Sequence, residues 1–400
     1  MPSLVRRSPL PVVAALLLTF GTGCTVPRAQ TPAVAAPRQG FQLSNAEFWR
    51  LSSEMSEPGG YFQSDNFTSN EQTFPQIVNH LRETKAPGGV YMGVGPEQNF
   101  HYIVALRPQM AFIVDIRRQA VMQHLMYKAL FEMSSDRADF ISRLFSIPRP
   151  PGVDSTSTIE AIWNAYYPPQ RDSALWTRNL AAVKNHLMKT RGIPLDTADL
   201  SSLQFVYQAF YTIGPTITYS GYGNRGGGGS RPSFSTLTQL TDETNTPRSF
   251  LATEQTFRVI QDMHMRNLIV PVVGDFGGPQ AIRAVGAYVR SRGATVTAFY
   301  LSNVEQYLFR DGDLAARFYA NVATLPLDSA SLFIRPQTGG GGSFTIRGLG
   351  TSGVVVYGGQ PGTPVSITPM RGEVCPIMAF LRAVDQGRMR TFQEARACRL

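Results

Sequence analysis

The stretch that decides the fold runs Val90-Tyr-Met-Gly-Val-Gly-Pro-Glu-Gln-Asn-Phe100 and resumes at Met110-Ala-Phe-Ile-Val-Asp-Ile-Arg-Arg118. Two short apolar runs, 90–94 and 110–114, flank a segment of helical character from Glu97 to Leu106. Strands that are apolar on both faces belong in a parallel sheet covered on both sides, so this order predicts an α/β fold. Gly93 and Gly95 let the chain turn tightly and let backbone N–H groups approach a ligand. The helix N-terminus behind them carries a partial positive field. Asp115 ends the second run, 22 residues after Gly93, where an acid can accept hydrogen bonds from a ribose diol. The plain alternative is that Asp115 caps a helix starting at Ile116.

Outward from this unit, Arg117 to Met133 reads as a helix, with Val121, Leu125, Ala129 and Leu130 near helical spacing. Residues 136–212 read as a helical insertion and 214–250, with Gly226 to Gly229, as a long loop. Alternation then resumes. A strand at 268–273 ends in Gly274-Asp-Phe-Gly-Gly278, and a helix follows from Pro279 to Arg290. A strand at 295–301 ends in Ser302-Asn303 and leads to a helix from Val304 to Phe309. Segments 321–325 and 332–334 are further strand candidates. Upstream, Ser69-Asn-Glu-Gln72 has capping-box form and predicts a helix through Val78 and Leu81. The expectation is a Rossmann-like, mainly parallel sheet in one α/β domain over 41–336. A C-terminal appendage, 343–400, brings two β-like runs and two short helices.

Open parallel sheets bind ligands outside the carboxyl ends of their strands. Here those ends are Gly93–Glu97, Asp115, Gly274–Asp275 and Ser302–Asn303, all expected on one cleft. Gly93, Gly95, Glu97 and Asp115 are the candidate cofactor-binding residues, and Asp275 and Asn303 the candidate catalytic ones. Asp65, Asn66, Asn70 and Glu71 are expected to cover the same edge. Each has a plain reading too. Asp275 can form an Asx turn, Ser302 can be an N-cap, and Asp65 to Glu71 can cap a helix. Arg117 and Arg118 read as surface residues, and the helical His101 and His124 as structural.

The chain has 400 residues and a formal charge of +9 from 33 Arg, 4 Lys and 28 acids. No Lys/Arg cluster alternates with aromatics, so no nucleic-acid partner is expected. Met1 to Arg7 is basic and Pro11 to Gly23 is an apolar run of 13 residues. Together they read as the signal peptide, 1–23, and the run is too short to span a bilayer. Gly21-Thr-Gly-Cys24 resembles a bacterial lipoprotein signal, which implies lipidation of Cys24 and a membrane anchor. Ordinary cleavage is the alternative. Arg6-Arg7-Ser-Pro-Leu10 is faintly similar to a twin-arginine signal. Residues 24–40 form a Pro/Ala-rich tether. The protein is therefore expected outside the cytoplasm, anchored on the cell envelope. Cys375 and Cys398 form either a disulfide or two buried thiols. No HExxH, CxxC or GxSxG occurs, and no metal is expected.

The segment 88–135 resembles motif I of class I S-adenosylmethionine-dependent methyltransferases, with Asp115 in the place of their ribose-binding acid. The resemblance implies S-adenosylmethionine as cofactor. Tyr91 stands where that family carries an acid, and Glu97 where it carries a third glycine. Gln98 in place of glycine departs from the dinucleotide fingerprint. The stretch 60–335 is similar to an uncharacterised bacterial family often described as lipoproteins. The shared blocks are Asp65–Glu71, Gly93–Phe100, Val114–Arg118, Val273–Phe276 and Ser302–Leu308. This similarity implies a fold and no activity. Two functions follow as expectations. One is an exported, lipid-anchored protein with a methyltransferase-like site for a small-molecule ligand. The other is a non-enzymatic envelope binding or structural lipoprotein on a degenerate Rossmann-like scaffold.

Overall fold

The computed structural model describes residues 41–220, 232–335, 345–346, 355–356, 373–398 and 400. The leader, Cys24, the tether and the runs Gly226–Gly229 and Gly339–Gly342 lie outside the described residues.

Among the described residues there are eight strands: β1 (Val90–Gly93), β2 (Met110–Asp115), β3 (Ile269–Val273), β4 (Val296–Tyr300), β5 (Leu332–Ile334), β6 (Thr345–Ile346), β7 (Val355–Val356) and β8 (Val374–Pro376). Six form one sheet in the order β3-β2-β1-β4-β5-β8, while β6 and β7 pair separately. The first five are parallel and β8 runs antiparallel to β5. The order reverses between β1 and β4, which is the switch point of a Rossmann-like sheet. β1, β2 and β3 are buried at every position, as strands covered on both faces must be. The mainly parallel α/β architecture expected from the sequence is thus present.

β3 lies at one edge and carries Pro271 in its middle, where a missing N–H costs no ladder bond. That edge is covered by the helix Asn45–Glu54 and its C-terminal extension. Ser52 Oγ donates to Pro271 O at 2.6 Å, and Val273 N donates to Ser56 Oγ at 2.9 Å. At the other edge the tail is part of the sheet. Cys375 of β8 pairs with Phe333 of β5 and is bonded to Cys398 at the end of the last helix.

The helix Arg118–Met133 is buried nearly all round, because the helical insertion packs over its outer side. Its buried Lys128 is compensated on every side. Nζ reaches Glu132, His264 O and Asn267 Oδ1 at 2.6–2.7 Å and lies 4.7 Å over the Phe48 ring. Such a cation is tolerated only when its donors are met. The insertion is helical as expected, at Arg137–Phe145, Ile159–Ala165, Ser173–Asn185 and Thr197–Ile213. Among the described residues no helix is long and apolar enough to cross a membrane.

Three local expectations fail. The segment 214–250 is not all loop; it contains the helix Phe234–Gln239. The segment 321–325 is not a strand; it holds the end of the helix Leu314–Val322. Ser69 does not open a helix, which starts at Phe74 behind Thr73, with Pro75 in its first turn. Ser69 and Glu71 are instead spent on contacts with the sheet.

Candidate functional site at the carboxyl edge of the sheet

β1 ends at Gly93, and the loop to the helix Gln98–Leu106 is clamped by Asn99. Asn99 Nδ2 donates to the carbonyls of Val94, Gly95 and Pro96 at 3.0, 3.1 and 2.7 Å, and its Oδ1 accepts from Tyr91 OH at 2.9 Å. A Cβ on Gly93 would lie 2.0 Å from Asn99 Oδ1, so this glycine makes room for the clamp rather than for a ligand. Gly95 differs. Its φ is +76° and nothing lies within 4 Å of where its Cβ would stand. It supplies the left-handed corner at an open point of the edge. His124 Nε2 lies 2.9 Å from Gly95 O, and burial holds its pKa below the ordinary histidine value. The neutral ring therefore donates there.

Asp115 is only 4% exposed, and its own neighbour occupies both carboxylate oxygens. Oδ1 accepts from the Arg117 backbone N and Nε, and Oδ2 accepts from Arg117 Nη2 at 3.1 Å. The following helix begins at Arg118, not Ile116. The surface reading of Arg117 is overturned: it is 6% exposed, and its Nη1 donates to the carbonyls of Ser64 and Asp65 at 2.9 and 2.6 Å. Its partner in sequence, Arg118, is paired with Asp199 at 2.8 Å.

After β3, Asp275 forms an Asx turn, its Oδ1 accepting from Gly277 N at 2.9 Å. Glu57 fills the N-terminus of the helix Ala281–Ser291. Its Oε1 accepts from Gln280 N and Ala281 N, both at 2.8 Å, and its Oε2 from Asp275 N at 3.1 Å. A carboxylate from elsewhere in the chain thus takes the place an anionic ligand would occupy.

After β4, Ser302 sits at φ +49°. Its Oγ and Tyr300 OH donate to the two oxygens of Glu71 at 2.5 and 2.7 Å. Asn303 is at the N-cap position of the helix Val304–Leu308, makes no side-chain cap, and accepts from Gln306 N through its carbonyl. Glu305 is buried against Arg335, the residue after β5.

Residues 56–73 contain no helix or strand, yet they meet the strand ends one after another in sheet order. Glu57 N donates to Val273 O at the end of β3, and Gly60 N donates to Ile116 O beyond β2. Ser64 and Asp65 bind Arg117. Thr68 Oγ1 and Ser69 N donate to Glu97 Oε1 beyond β1. Glu71 closes on β4. Phe67, fully buried against Phe205 and Phe210, is the apolar anchor of this strap. The strand ends and the segment 65–71 therefore do come together, with the strap lying across them. Asp65 contributes its carbonyl. Asn66 turns through φ +49° with Oδ1 buried and unpartnered. Asn70 is half-buried between Ser69 and Glu71.

Glu71 and Glu97 are each 1% exposed. Burial pushes both carboxyls up to about 7, with hydroxyl and amide donors pulling the other way. Glu97 Oε2 has no partner, and neither has His124 Nδ1. Tyr91, Tyr102 and Tyr300 stand within electrostatic reach of Glu71, their hydroxyls pushed up by burial. Among the described residues no group of three or more His, Cys, Asp or Glu could hold a metal ion. Sequence reading missed Glu57, Asn99 and the role of Arg117. Only the small, polar, glycine-bearing composition of 56–71 hinted at a loop with a task.

No curated protein matches the chain. One family model does, over residues 66–195 and 233–362, which cover both halves of the sheet and the ends of β1 to β5. The chain belongs to this family, described as a domain of unknown function (DUF7790).

Proposed function

We propose that the chain is an exported, lipid-anchored envelope protein in which the Rossmann-like domain serves a non-enzymatic binding or structural role. One observation carries this reading: the groups a nucleotide-type cofactor would use at the strand ends are met from within. Arg117 engages both oxygens of Asp115, Glu57 takes the helix N-terminus after β3, and the strap crosses the rest. A ribose diol would have to displace a buried ion pair, and breaking such a pair is costly. The Cys375–Cys398 disulfide supports export, because structural disulfides persist in oxidising compartments. The leader and the Gly21-Thr-Gly-Cys24 pattern support the anchor.

A second reading, a methyltransferase-like enzyme using S-adenosylmethionine, draws on the Gly95 corner. That corner is open where a backbone approach to a ligand needs it. Calorimetry with S-adenosylmethionine and S-adenosylhomocysteine, at pH 6 and pH 8.5, separates the two. The first reading expects no heat with either at both pH values. Binding that Asp115→Ala abolishes would replace it with the second.

A further inference from the structure

Two buried acids of the edge, Glu71 and Glu97, are set apart by what faces them. Asp115 faces Arg117, Glu305 faces Arg335, and Glu132 faces Lys128, His186 and Arg191. Each of those carboxylates has a cationic partner within contact. Glu71 and Glu97 have none. Facing Glu71 are Tyr300 and Ser302 of the β4 end, Tyr91 of β1, Tyr102 of the next helix, and two more acids, Glu373 and Glu97. Facing Glu97 are Thr68 and Ser69 of the strap, with Glu71 and Tyr127 within electrostatic reach. Among the described residues no cation forms an ion pair with either group, and none is among the largest influences on them.

Both acids are ties between strap and sheet. Glu97 belongs to the β1 loop and holds the strap at Thr68 and Ser69; Glu71 belongs to the strap and holds it to β4. We propose that they are a deprotonation-sensitive latch: the strap lies closed while both are neutral, and its 68–71 end lifts from β1 and β4 as they ionise, with Arg117 and the buried Phe67 holding the residues before it. A buried carboxylate with no cation is tolerated as the acid and expelled toward water as the anion. Ionising one makes the second harder to keep, since each raises the cost of charging the other. Burial already brings both to about 7. The 68–71 end of the strap has no ladder bonds to hold it once these ties fail, while Phe67 O still accepts from Gln123 Nε2 at 2.7 Å. Its other end stays fixed, because Glu57 accepts three backbone N–H bonds near the helix Ala281–Ser291. Lifting would free Glu97, with its unpartnered Oε2, beside the already open Gly95 corner. This inference rests on the position of the strap and not on whether the site is enzymatic.

The test is the mobility of a nitroxide on Asn70→Cys, the half-buried position between Ser69 and Glu71, in the full chain carrying Cys24→Ser. The two remaining cysteines are joined to each other. Each acid that ionises on opening raises the opening equilibrium about tenfold per pH unit between its ordinary value, 4.5, and its closed-state value, about 7, and no further above that. The mobile fraction should therefore rise between pH 5 and pH 7 and level off above, and E71Q/E97Q should keep the label restrained throughout. A mobile fraction that does not change with pH would overturn the latch, as would E71Q/E97Q following the same curve as the parent. Should the double variant fail to fold, the titration of the parent chain decides alone.

Discussion

Gly93→Ala should be among the most destabilising single-methyl additions in this fold. The added Cβ would stand 2.0 Å from Asn99 Oδ1 and 2.8 Å from Tyr91 OH, so the Asn99 side chain must leave. Its departure strips donors from the carbonyls of Val94, Gly95 and Pro96 and leaves the buried Tyr91 hydroxyl without its acceptor. At about 1 kcal/mol for each lost bond, the four bonds together cost about 4 kcal/mol. Asn99→Ala should cost a similar amount. The double variant should cost little more than either single one, because once Asn99 is gone the methyl fills its space and Tyr91 is free to turn. Equilibrium urea unfolding of the four proteins measures this coupling, expected at about 2–3 kcal/mol. If Gly93→Ala costs less than about 1 kcal/mol, or the two costs simply add, Gly93 does not serve the clamp. The ligand-approach role would then return.

Gly95→Ala should be milder, about 1–2 kcal/mol, since only the left-handed φ is strained and no neighbour is touched; the same unfolding assay checks it. Stability should respond to pH on two sides. Glu71 and Glu97 are raised from 4.5 to about 7, so their contribution is full below pH 4.5 and lost as pH rises through about 7. Burial lowers His101 from 6.5 to about 3, so its contribution is full above pH 6.5 and lost as pH falls toward 3. His124 and His264 shift in the same direction. Urea midpoints against pH should fall on both flanks, and E71Q/E97Q should flatten the alkaline flank alone. Reducing the Cys375–Cys398 bond, which closes a 23-residue separation, should cost about 3 kcal/mol by loop-closure entropy. Unfolding with and without reductant tests it. Cys24→Ser should release the protein from membranes; unchanged partitioning, with no lipid found by mass spectrometry, would contradict the anchor.

The sheet was legible because β1, β2 and β3 are apolar without interruption, and only a doubly covered parallel strand explains such runs. The turn residues after each strand marked the carboxyl edge for the same reason: Gly, Asp, Ser and Asn are the residues that leave a strand sharply. Side-chain partners across the edge were not legible. Glu57 and Glu71 bond to groups 224 and 231 residues away in sequence, and no local pattern encodes such pairings. Ser69-Asn-Glu-Gln72 misled because a capping box and a strap need the same hydroxyl, amide and carboxylate groups. Tertiary contacts with Glu97 and Tyr300 outcompeted the local helix start. Arg117 read as a surface residue because nothing in the sequence shows that the strap will cover it.

The central claim is that the segment 56–71, though irregular, is fastened across the strand ends in sheet order. Residue-resolved amide hydrogen exchange at pH 6 tests it most directly. The amides of Glu57, Gly60 and Ser69, bonded to Val273 O, Ile116 O and Glu97 Oε1, should exchange far more slowly than that of the highly exposed Tyr61 between them. Uniformly fast exchange across 56–71 would mean that the strap is not seated, and that the carboxyl edge stands open to a ligand.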